Sequence, residues 1–140
     1  MKPATRKHTR PAQLWYDTIG WRWGIVIGYT AVIFCLSSIP GSSIPSIYLN
    51  DKLIHAGEFG LLGIFLARAL SLWKPAWSTR CIALWSILVS IAYGVTDEWH
   101  QSFVPQRSAD FADLAADSVG ALIAVWLWSR VGIRWMWLRY

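Results

Sequence analysis

Four stretches of this chain are apolar over about the length of a bilayer crossing, and short polar or proline-containing links separate them. They lie near residues 21–39 (WRWGIVIGYTAVIFCLSSI, stopped by Pro40 and Gly41), 53–73, 81–96 (CIALWSILVSIAYGVT) and 111–128 (FADLAADSVGALIAVWLW). None alternates as a strand would. Each approaches the length of about twenty residues that a spanning helix needs, so the pattern predicts helix throughout. The links GSSIPSIYLND, KPAWST and DEWHQSFVPQRSAD are short, which predicts sequential helices packed antiparallel. The expected fold is an all-α polytopic membrane bundle of four transmembrane helices.

Composition strengthens this reading. Hydrophobic residues make up 55% of the 140 positions and charged residues 15%, against about 25% charged in soluble domains. Mean hydropathy is +0.36. A chain of this length holds one domain and no separate catalytic module.

The net charge of +5 matters through its placement. Lys2, Arg6, Lys7, Arg10 and Arg22 form one basic group; Arg68, Lys74 and Arg80 a second; Arg130, Arg134 and Arg139 a third. A nucleic-acid binder would align its cations on one face, whereas apolar runs separate these, so no nucleic-acid partner is expected. The positive-inside rule puts all three groups on the cytoplasmic side, with both termini cytoplasmic. Nine of the eleven tryptophans then fall near that boundary, as an aromatic belt would. The expected division is a basic segment over residues 1–20, a membrane domain over 21–129 and a basic interfacial tail over 130–140. The first span is expected to stay uncleaved, because its leader is long and no A-x-A site follows. Cys35 and Cys81 fall at different expected depths and should not pair.

The polar residues of the spans change the picture most. Of eight acidic residues, five lie between Thr96 and Asp117. Asp51, His55 and Glu58 are spaced i, i+4 and i+7, one face of the second helix; Asp110, Asp113 and Asp117 share a face of the fourth at i, i+3 and i+7. Glu58 and Asp117 each lie on the order of 10 Å below the start of their helix, at matching depth, and are expected to face one another. A carboxylate there costs a few kcal/mol and must meet partners or water, not lipid. At the outer end of the third helix Asp97 shares a face with His100 and Gln101. Glu98 joins them, and Lys52 and Arg107 are the only cations nearby. Arg107, always charged and able to bind two oxygens, is expected to hold several carboxylates. Ser108 or Asp110 is expected to cap the fourth helix. Gly24 and Gly28 form a G-x-x-x-G on the first span, a possible packing face. Ser37 and Ser38 are expected to bond back to their own helix.

Several chemistries fit such a cluster. The seven residues His55, Glu58, Asp97, Glu98, His100, Arg107 and Asp113 could run acid–base chemistry or hold a ligand, with Asp51, Lys52, Gln101, Asp110 and Asp117 as binding groups. His55, Glu58, His100 and aspartates could hold a metal, but their spacing is loose beside known ligand patterns, so neither metal nor other cofactor is expected. Proton or ion passage and a purely structural role are the alternatives.

Two blocks resemble a known family. D-K-L-I-H-A-G-E-F-G from Asp51, and T-D-E-W-H-Q-S-F-V-P-Q-R-S-A-D-F-A-D-L-A-A-D-S-V-G from Thr96, are similar to those of the VanZ-like family of small bacterial membrane proteins. The second block is long and specific, and together they cover about a quarter of the chain. The resemblance carries Asp51, Lys52, His55, Glu58, Asp97, Glu98, His100, Gln101, Arg107, Asp110 and Asp113 over as motif positions. Asp117 stands where the family more often has Asn. It implies a multi-pass protein of the bacterial inner membrane, in a family whose founding member is associated with teicoplanin resistance. The expected role is binding or acting on a lipid-linked precursor or lipid headgroup through an outward-facing polar pocket. Membrane lipids or such a precursor are the expected partners, and a homo-oligomer is open.

Overall fold

The computed structural model describes residues 19–43 and 51–137. The basic N-terminal segment, most of the first link and the last residues of the tail lie outside the described residues. Four helices follow in order: α1 (Ile19–Ser37), α2 (Asp51–Trp73), α3 (Thr79–Gln101) and α4 (Phe111–Trp137), with one 3₁₀ turn at Gly41–Ser43. The fold class is therefore as expected. All four helices are long and apolar enough to cross a membrane, α4 over Phe111–Val131.

Each boundary has a local cause. α1 stops ahead of Pro40, whose ring disfavours helix in the residue before it. Ser78 caps α3, its hydroxyl accepting the Cys81 N–H at 3.2 Å. Asp110 caps α4 in the same way, accepting from Ala112 N at 2.8 Å; Asp110, and not Ser108, takes that role. α3 runs on to Gln101, beyond the apolar stretch that ends near Thr96, so Asp97 and Gln101 share its buried face as their spacing predicts. One boundary differs from expectation. α4 continues as helix past Trp128 into the stretch read as a tail.

α2 is the central element, packed most extensively on α4 and also on α1 and α3; α1 touches α3 only lightly. The α2–α4 seam is nearly backbone to backbone. A Cβ on Gly120 would sit 2.0 Å from the Ala56 carbonyl oxygen, and one on Gly63 would meet Val125 at 2.8 Å. This is the small-residue packing that bilayers favour, since lipid gives no hydrophobic drive for helices to associate. It uses these glycines and not Gly24 and Gly28, which are exposed with nothing within 4 Å.

The buried face of α3 reads Ser86, Ser90, Gly94, Asp97 and Gln101, small or polar at roughly every fourth position. Its exposed face carries Leu84, Trp85, Leu88, Val89 and Val95. Apolar-out, polar-in is the arrangement a lipid solvent selects. The apolar core formed by Val26, Ile33, Phe59, Leu62, Leu66 and Ala69 ties α1 to α2.

The bundle has two unlike ends. One gathers Arg22, Arg68, Lys74 and the tryptophans Trp23, Trp73 and Trp77, with the Lys74 ammonium 4.2 Å from the Trp73 ring centre. The other collects nearly all the polar side chains named above. There the first and third links are stitched together: Gly41 N donates to Pro105 O at 3.1 Å and Arg107 Nε to Ile39 O at 3.3 Å. A Cβ on Gly41 would lie 2.2 Å from Gln106 O. Gln106 itself has φ 60°, a left-handed conformation that side chains other than glycine adopt at a cost.

Candidate functional site

Two polar layers, one on each side of α3, occupy the polar end. The first lies between α2, α3 and α4. His55 Nδ1 and Asp117 Oδ1 are 3.0 Å apart, both side chains buried. Asp117 has no exposed surface at all, and Glu98 and His55 are each 6% exposed. One ligand-type atom from each of His55, Glu98 and Asp117 lies within 4.8 Å of the other two, and the same holds for Asp51, His55 and Asp113. His55 thus lies near an exposed carboxylate, Asp51, as well as against the fully buried Asp117. Glu98 Oε2 accepts the Asp110 backbone N–H at 2.8 Å, which joins α3 to the start of α4. Among the described residues, Glu98 Oε1 and Asp117 Oδ2 find no hydrogen-bond partner.

Lys52 closes the top of this layer, donating to Asp110 Oδ2 at 2.9 Å and to Asp113. Asp110 is the one acid here outside the spans. Its carboxyl is held below the usual carboxylate range, first by the Ala112 N–H and then by the Lys52 ammonium.

The second layer lies between α1 and α3. Ser37 Oγ donates to Asp97 Oδ1 at 2.6 Å and Gln101 Nε2 donates to Asp97 Oδ2 at 2.8 Å. Arg107 Nη1 in turn donates to Gln101 Oε1 at 3.2 Å. The result is a chain from the third link through the glutamine to a satisfied, buried aspartate. His100 faces away from it, stacked on Phe34 with ring centres 4.4 Å apart and planes at 17°. Its Nε2 lies 3.0 Å from Ser38 Oγ. The Ser38 hydroxyl has a single proton, given to Phe34 O at 2.7 Å, so His100 is the donor in that contact.

Beside these groups lies a cavity of about 400 Å³, lined by Phe34, Tyr93, Thr96, Asp97, Trp99, His100 and Phe103. Phe34, Tyr93, Trp99 and Phe103 form most of its wall, and Trp99 and Phe103 are 68% and 71% exposed.

Three sequence expectations change here. Asp117 pairs with His55 and approaches Glu98, whereas Glu58, half-buried, is in neither group. Its backbone oxygen accepts from the Tyr29 hydroxyl at 3.2 Å, on the part of α2 that meets α1. Second, Lys52 is the cation that holds carboxylates, and Arg107 forms no ion pair with a carboxylate among the described residues. Third, Ser37 bonds across to Asp97 and not back along its helix, as Ser38 does. No expectation from the sequence covers the aromatic cavity. Its only sequence signal is the cluster of Trp99 and Phe103 beside His100, which reads equally as lipid-facing surface.

Chemically, the first layer offers an imidazole oriented by a carboxylate and two carboxylate oxygens with no donor. That is a set suited to a proton or a cation. The second layer offers an apolar slot with an imidazole and a carboxylate in its wall.

A polytopic helix bundle with buried acidic and imidazole groups at one end is the class these features define. The VanZ/LLP1 family model matches residues 26–134, most of the chain and all of both polar layers, and the protein belongs to that family. No curated protein and no solved structure matches the chain.

Proposed function

We propose that the protein is a component of the bacterial cell envelope that binds the headgroup end of a membrane lipid or lipid-linked envelope precursor at the outer face of the inner membrane. The carrying observation is the aromatic cavity between α1 and α3, which has Asp97 and His100 in its wall. Phe34, Tyr93, Trp99 and Phe103 suit an acyl or polyprenyl segment, and the exposed Trp99 and Phe103 sit where ring systems favour the interface. With its Nε2–H given to Ser38, neutral His100 offers Nδ1 as an acceptor for a headgroup hydroxyl, and the imidazolium form offers a second N–H and a positive charge to a headgroup oxygen.

The outward orientation rests on charge. Arg22, Arg68, Lys74, Arg80 and Arg130 belong to the opposite end, and the positive-inside rule makes that end cytoplasmic. The polar end then faces the leaflet where envelope precursors are used. The association of the family's founding member with teicoplanin makes glycopeptide susceptibility of a host expressing this chain the phenotype to measure.

The test is the lipid carried through purification in mild detergent, identified by mass spectrometry. Wild-type protein should retain a defined lipid class, and Phe34→Ala with Trp99→Ala should lose most of it while Leu84→Ala, on the exposed face of α3, keeps it. Equal retention by all three would remove the cavity from the account.

A further inference from the structure

We infer that His55, Glu98 and Asp117 form a binding site for a divalent transition-metal cation of the zinc class. The inference is independent of the lipid reading, because these residues lie on the α2–α4 side of α3, away from the aromatic cavity.

The residues come from three helices, and the fold brings one nitrogen or oxygen of each within 4.8 Å of the others. That separation fits ligands arranged round one ion, since bonds of about 2.0–2.2 Å put neighbouring donors roughly 3–4 Å apart after a small inward adjustment. An imidazole and two carboxylates form a mixed nitrogen and oxygen set of borderline softness, suited to zinc, with manganese the harder alternative. Three protein ligands leave a fourth position for water or a ligand oxygen.

Proximity of acids alone would not justify a metal. The second observation is the state of their oxygens. Asp117 Oδ2 and Glu98 Oε1 are buried and have no donor among the described residues, on side chains that are 0% and 6% exposed. Buried polar atoms are nearly always satisfied, and an ion is one of the few explanations when they are not. The other oxygen of each carboxylate is already used, Asp117 Oδ1 by His55 and Glu98 Oε2 by the Asp110 N–H. The Asp110 N–H holds Glu98 from outside the trio, as the outer partner of a metal ligand does, while the His55–Asp117 contact joins two members of the trio itself. Backbone space is arranged to match: a Cβ on Gly94 would fall 3.1 Å from Asp117 Oδ2, so the glycine lets α3 close on that oxygen.

Asp51 is exposed and, with Asp113, lies within the same 4.8 Å of His55. An incoming cation could pass from this outer trio to the inner one by exchanging carboxylates about the shared imidazole. The charge balance favours it, since Asp51, Asp113, Glu98 and Asp117 all lie near His55 and Lys52 is engaged by Asp110 and Asp113.

The experiment uses full-length protein purified without a polyhistidine tag, loaded with zinc, desalted and measured by mass-spectrometric elemental analysis. Wild type should hold about one zinc per chain. Glu98→Gln and Asp117→Asn should weaken binding by at least about tenfold in a chelator competition. Glu58→Gln and Asp97→Asn, whose carboxylates lie outside the trio, should bind as wild type does. Cobalt added in place of zinc should give visible absorption in wild type that Glu98→Gln lacks. A wild type that holds no stoichiometric metal overturns the inference, and so does undiminished binding by Glu98→Gln and Asp117→Asn. Should Asp117→Asn fail to fold, Glu98→Gln and a calorimetric zinc titration of wild type decide, and no saturable heat counts against the site.

Discussion

His55 on α2 and Asp117 on α4 are joined by a 3.0 Å contact between Nδ1 and Oδ1, at a depth where neither side chain reaches water freely. The contact lies on the same α2–α4 seam where Gly120, three residues beyond Asp117, meets the carbonyl of Ala56, the neighbour of His55. Close backbone approach and the buried pair therefore depend on each other.

Removing one member of that pair strands the other. Asp117→Ala should destabilise the bundle by about 3–5 kcal/mol, the range for an uncompensated buried charge. Replacing both, as His55→Leu with Asp117→Leu, should recover much of that loss. Unfolding in mixed micelles with increasing denaturing detergent measures both, and a single variant within about 0.5 kcal/mol of wild type would contradict the pairing.

The seam itself makes a sharper contrast. Gly120→Ala puts a methyl carbon 2.0 Å from the Ala56 oxygen, so α2 and α4 must separate, at a cost of about 1–3 kcal/mol or more. Gly28→Ala meets nothing within 4 Å and should leave the stability of the single chain unchanged or slightly raised through helix propensity. The same detergent titration compares them.

How much of this was legible in the residues can be judged element by element. The four spans were, because about twenty apolar residues in a row have few other uses. Depth was legible too, since counting residues along a helix gives height. Azimuth was not. Glu58 lies three residues beyond His55, about 60° round the helix from it, and that rotation takes it out of the group containing Asp117. Nor does an apolar sequence mark its inner face when lipid is as apolar as the core, so the light α1–α3 packing and its aromatic cavity had no periodic signature. Lys52 and Arg107 are both legible in the sequence as the available cations. Which one meets the carboxylates is decided by the third link, whose backbone turns at Gln106 and delivers Arg107 to Ile39 and Gln101.

The Asp110 cap gives a pH dependence with a definite sign. Its folded pKa lies below the ordinary carboxylate value, so its contribution is fully present above the unfolded pKa of about 3.9 and is lost as pH falls through the folded value. Protection of the first turn of α4 from amide exchange should hold at neutral pH and fall below about pH 4. Lys52→Gln should bring that loss on at higher pH, because one of the groups lowering the Asp110 pKa is gone. An unchanged midpoint in Lys52→Gln would leave the Ala112 N–H as the whole cause.

Topology has its own test. In a Cys35→Ala, Cys81→Ala background, Ser43→Cys and Ser102→Cys should react with a membrane-impermeant maleimide in cells with a permeabilised outer membrane, and Ser78→Cys should react only after lysis. The reverse pattern would turn the bundle over and move the polar end to the cytoplasm.

The central claim is that the cavity walled by Phe34, Tyr93, Trp99 and Phe103 holds an envelope lipid. Photo-crosslinking with a diazirine-bearing polyprenyl phosphate, followed by peptide mass spectrometry, addresses it directly. Label should concentrate on the α1 and α3 peptides containing Phe34 and Trp99, be displaced by unlabelled lipid and fall in His100→Ala. Label spread evenly over the exposed faces of all four helices, with no displacement, would contradict it.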